Sequence, residues 1–189
     1  LLVGLEQAGR LRLIRRLRNI KSREVTLFWE ELFADDGPFK DLSSTLTYGY
    51  LLRLVASAAP EKVASFVEGN LKALSQQERL TIAGKARREL MWILEELLFR
   101  KKTSAAAVRC LAMIAEAETE DCSNNATGVF IESFDPLHPQ LPLPLHDRLS
   151  LLKDLFSPQN TVESRLIGIK TIESAFDGMK HFRLRRSSG

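Results

Sequence analysis

Cysteine is nearly absent, with only Cys110 and Cys122 in 189 residues. Two thiols without a CxxC pair are too few for a disulfide framework, so a reducing compartment is the simpler setting. Long apolar runs are missing too. No stretch approaches the roughly 20 residues that a membrane-spanning helix needs. The opening LLVGLEQAGRLRLIRRLRNIK holds five arginines and no small-residue cleavage site, so these residues are not expected to act as a secretory signal. Phosphate cradles are lacking, because the glycines stand singly and match neither a Walker loop nor a GxGxxG fingerprint. Alternation of β-branched residues, the mark of a half-buried strand, is absent throughout.

Acids are missing from two stretches. Seven basic residues and no acid lie between Arg10 and Arg23, and four basic residues and no acid between Lys180 and Arg186. With those eleven set aside, 16 basic residues face 24 acidic ones, so basic ends enclose an acidic body beneath a net charge of +3. Such asymmetry speaks to partners and not to fold. Arg12, Arg15, Arg16 and Arg23 return to one helical stripe at spacings of three, four and seven, a pattern able to neutralise phosphates. Aromatics that would stack on bases or enter a membrane interface are missing from that stripe, so pairing with acids of a neighbouring domain is the preferred expectation, and nucleic acid the alternative.

Present in abundance are apolar residues at helical spacing, and the expected class is all-α. Helices are expected over about Leu2–Ile20, from Arg23 to Ala34, over Leu42–Ala58, from Pro60 to Leu74, from a capping box at Ser75–Glu78 through Phe99, and across SAAAVRCLAMIAEAE. Two more follow from Leu145 and Asn160. In the last of these, Val162, Leu166, Ile169, Ile172 and Phe176 repeat with the period of a buried stripe. Trp29 and Trp92 fall in apolar patterns and are expected in the core. Asp35–Pro38 ends the second helix, with Gly37 as a left-handed cap.

Taken in pairs, these helices centre near Phe66, Cys110 and Ile169. The first interval is 44 residues and the second becomes about 44 once some 15 irregular residues are removed, a period within the range of helix-pair repeats. In that period the chain resembles HEAT and armadillo arrays, which implies an α-solenoid over 22–178 with an insertion at 120–144. Residues 1–21 are then a basic adaptor or preceding-repeat helix, and 179–189 a basic tail. The stretch AEAETEDCSNNATGVFIESF resembles helical sensor or effector regions of bacterial STAND-type signalling NTPases. That resemblance attaches no catalytic role to any residue.

The segment Asp121–Arg148 breaks the helical pattern with four prolines, two of the three histidines and turn-forming Asn124 and Asn125. Its spaced leucines (137, 141, 143 and 145) favour a path packed against the helices, and loops on rigid scaffolds carry recognition. Asn124, Asn125, His138 and His146 are therefore the candidate binding residues there. His138 and His146 are too far apart for a zinc signature. A hydrolase within 120–148, with Cys122 or a serine as nucleophile and one of these histidines as base, is the second alternative. No catalytic residue, metal or cofactor is expected. Altogether we expect a non-enzymatic scaffold or sensor module of a longer cytoplasmic, bacterial polypeptide, without a membrane span, contacting a protein partner or other domains of that polypeptide.

Overall fold

The computed structural model describes residues 6–20, 22–34, 36–119, 125–135 and 141–186, leaving aside the side chains of residues 7, 10, 11 and 178–186. Among these residues every regular element is a helix. In chain order they are α1 (Gln7–Leu17), α2 (Arg23–Leu32), α3 (Leu42–Leu46), α4 (Gly49–Ala58), α5 (Pro60–Ala73), α6 (Gln76–Leu80), α7 (Gly84–Leu98), α8 (Ser104–Ala115), α9 (Ala126–Glu132), α10 (Leu145–Asp154) and α11 (Val162–Arg186).

Local chemistry sets most starts. The Ser22 hydroxyl accepts from the Val25 amide, Asp41 accepts from Ser44, and Ser75 and Glu78 complete the expected capping box. Pro60 opens α5 where no amide donor is required. Two expected long helices are broken. The stretch 42–58 divides at a corner exposing Tyr48, and 75–99 divides because the chain turns at Ile82, which is buried, and restarts through Gly84 at φ +57°. Gly84 is thus the left-handed glycine, a conformation costing other residues about 1–2 kcal/mol. Gly37 does not take that conformation. It is needed because a Cβ there would lie 2.5 Å from the Glu31 carbonyl oxygen.

The helices pack in layers. The hairpin α4/α5 lies against the hairpin α7/α8, with α4 on α7 and α5 on α8; α1 and α3 cover α4, while α9 and α11 cover the far side of α8. The core runs continuously through these contacts, from Ile14, Trp29 and Leu42 through Leu52, Val63, Leu94 and Leu111 to Phe130. Ile14 of α1 belongs to this core. The backbone of α11 runs on to Arg186 without a break where a tail was expected to begin.

Two hairpins stack in register. Lys102 Nζ reaches Glu61 Oε1 at 2.7 Å and Arg109 reaches Glu68 at 2.7 and 3.1 Å, each pair 41 residues apart and one pair seven residues beyond the other. Helices α5 and α8 therefore run parallel at a constant offset. On the other side of the layer Gly49 faces Glu89, forty residues on, so closely that an added Cβ would meet the Glu89 Cβ at 2.5 Å. Here glycine serves close approach of two helices.

Candidate functional site

The far end of the stack holds the feature that sequence periodicity least foretells. Helix α11 turns Ser164, Ile167, Gly168 and Thr171 inward, and Gly168 meets the ring of Phe156. Val162, Leu166, Ile169, Ile172 and Phe176, expected as a buried stripe, are instead 38–62% exposed. The two sets lie on opposite sides of one helix at 100° per residue. Small residues permit the close packing; the large apolar ones point outward. Leu145 and Leu149 of α10 are exposed beside them, and with Leu152, Ile172, Ala175 and Phe176 they line a groove of about 190 Å³ between α10 and α11. Contiguous apolar surface of this kind marks an interaction site more often than a free surface.

Ion pairs anchor this end to the layers beneath. Ser164 Oγ donates to Glu116, which also accepts from Arg79 Nη1 at 3.2 Å, joining α11 to α8 and α6. The buried Arg87 donates to the carbonyls of Ile82 (3.2 Å) and Ile114 (2.9 Å) and to Glu118 Oε1 (2.9 Å). Glu118 in turn accepts from the Thr127 amide at 3.1 Å, at the first turn of α9. Arg148 donates to the carbonyls of Ser133 and Asp135 at 2.9 and 3.0 Å, closing the C-terminal end of α9. Burial pulls the Arg148 guanidinium below its ordinary value, opposed by Asp135.

Glu68 is held below its ordinary value near 4.5, first by the Arg109 hydrogen bonds against the cost of burial, then by Lys72 at 2.6 Å. A depressed carboxylate contributes stability that is present above its unfolded pKa and lost as pH falls through the lower folded value. Acid titration of wild-type chain and Arg109→Met is therefore expected to differ below about pH 4.5, the variant losing less stability on acidification. Glu95 shifts the other way: burial raises it first, then the nearby Glu132.

The described candidate residues fall on separate elements. Asn124, His138 and Cys122 lie outside the described residues. The Asn125 side chain accepts from the Gly128 amide at 2.8 Å and caps α9. This helix stands inside the segment expected to break the helical pattern, while Leu141 and Leu143 are buried as expected and Leu145 is not. His146 is exposed and pairs with its neighbour Asp147 at 2.9 Å. Arg12, Arg15, Arg16 and Arg23 are exposed, and none makes an ion pair with the other described residues. Arg12 Nε donates to the Ala8 carbonyl.

Trp29 is buried, but Trp92 is 39% exposed with the Arg53 guanidinium 4.7 Å above its ring. Cys110 is buried and its thiol is pushed up to about 12, chiefly by burial, so it supplies no thiolate at neutral pH. Among the described residues no group of three or more metal-ligating side chains comes together, and no helix is long and apolar enough to cross a membrane.

Comparison with family models, with curated proteins and with solved structures gives no match.

Proposed function

We propose that the chain is a non-enzymatic, HEAT-like helical-repeat module of a larger protein, and that it works as a scaffold or sensing region. The constant offset of 41 residues between Glu61 and Lys102 and between Glu68 and Arg109 carries this reading. Parallel, in-register packing of this kind is what the equivalent helices of successive helix-pair units make. The apolar face of α11 fits the same scheme. A helix pair cannot bury both faces, and the layer that would cover α11 is a further helix pair, supplied by a protein partner or a neighbouring domain. The resemblance of Ala115–Phe134 to STAND-type sensor regions points the same way.

Native-state hydrogen exchange tests it. In a stack, each layer depends only on its neighbours, so α9–α11 are expected to open at a lower free energy than α4–α8. Exchange of all helices at a single global free energy would sink the repeat reading.

A second reading rests on the arginines of α1 and the start of α2. Arg12, Arg15, Arg16 and Arg23 are exposed and make no ion pair with the other described residues, as suits side chains that contact phosphates on binding. If they hold nucleic acid, retention of a DNA duplex falls steeply with salt and Arg15→Glu/Arg16→Glu flattens that slope. Absence of retention at about 50 mM salt leaves the protein-partner reading alone.

A further inference from the structure

The other end of the stack carries a second open apolar feature, and its chemistry differs from the first. Helices α1 and α2 diverge around a groove of about 790 Å³ with Leu13, Leu17, Val25 and Phe28 along it. The charged side chains described on its lining are all acidic: Glu24, Glu31 and Asp36. Glu24 and Glu31 flank Phe28 at spacings of four and three, so two carboxylates border the aromatic ring on one helical face. None of Arg12, Arg15 and Arg16 lines the groove. An apolar floor between carboxylates is suited to an amphipathic helix bearing positive charge.

This chain contains a helical segment that carries positive charge among apolar residues. Thr171 is the last buried residue described in α11, yet the helix continues to Arg186. Those 15 further residues extend about 22 Å, enough to span the ~15 Å length of α2. Beyond Asp177 the sequence holds no acid and has Lys180, Arg183, Arg185 and Arg186, interleaved with Met179, Phe182 and Leu184. Helix α11 packs on α8 and α9, whereas α1 packs on α4 at the opposite end of the stack.

We propose that the α1–α2 groove receives the basic end of α11 from a second copy, so that copies associate head to tail. The inference rests on the stacked-layer reading and names the layer that covers α11: the α1–α2 end of the next molecule. Because the two surfaces differ, the contact is heterologous and does not close into a dimer. Charge complementarity sets the direction of docking and makes association weaken with salt.

Sedimentation of the 189-residue chain, over about 1–100 μM, is expected to show mass that rises with concentration beyond two copies. Glu24→Lys/Glu31→Lys blocks the groove, and reversal of Lys180, Arg183, Arg185 and Arg186 to Glu blocks the arm. Each variant alone is expected to associate at least about tenfold more weakly with unchanged circular dichroism, and an equimolar mixture of the two to recover growth. A chain that stays monomeric throughout overturns the proposal, as does association that survives both reversals. If the reversals have no effect but Ile169→Glu abolishes association, copies meet through their α11 faces and the groove has no part. Layered hydrogen exchange in a monomeric chain would leave the repeat reading standing while removing this one.

Discussion

Arg87→Ala is expected to lower unfolding free energy by about 3–5 kcal/mol in chemical denaturation, the range for removing one partner of a buried ion pair. Arg87 is only 1% exposed. Its loss removes one donor from each of two carbonyls and the cation from beside Glu118, and opens space where a large side chain was. Much of this cost belongs to the carboxylate that loses its cation. The double variant Arg87→Met/Glu118→Gln is therefore expected to be more stable than Arg87→Ala, because it removes the charge together with its partner. If the single change costs under about 1 kcal/mol, the guanidinium is not the clasp between α7, α8 and α9 described above.

Phe130→Ala is the second large loss, about 3–5 kcal/mol for deleting a buried aromatic. Phe130 is 1% exposed and packs its ring against Phe134 at 4.8 Å between centroids. The loss should not spread evenly. In a layered chain it raises exchange in α9–α11 and leaves α4 and α5 protected; uniform loss of protection would show that the molecule opens as one body.

Helix existence was legible where apolar spacing and caps agreed. Ser75–Glu78 forms its reciprocal cap and Pro60 starts α5. Breaks were harder to read, since Gly84 is one glycine among ten and nothing local says that the backbone takes a positive φ there rather than continuing a helix. Helix α9 had a readable signal: Asn125 as a cap, then Ala126, Phe130 and Phe134 at spacings of four, all buried. The prolines that follow at 136 and beyond drew the whole segment toward an extended path. For α11 the period was right and the facing wrong. Periodicity says that a stripe seeks cover, but not that the cover comes from the same molecule; here small Ser164 and Gly168 take the near side.

Of the site, the basic stripe was visible because charge needs no tertiary context to be counted. The α1–α2 groove was not, because it arises from the divergence of two helices whose separation no local pattern encodes. The offset of 41 residues was only approximated by the period of 44 taken from helix centres. Side-chain pairs define register more finely than the midpoints of helices.

Trp29 sits enclosed in the first layer, whereas Trp92 stands at the surface of α7 beneath a guanidinium. The chain therefore carries two optical reporters in different surroundings. Indole emission shifts to longer wavelength as water reaches the ring, and a dissolved anionic quencher encounters Trp92 with the Arg53 charge beside it while Trp29 is shielded. Loosening of the α1–α2 end is thus spectrally separable from events on α7, without a label attached to the protein.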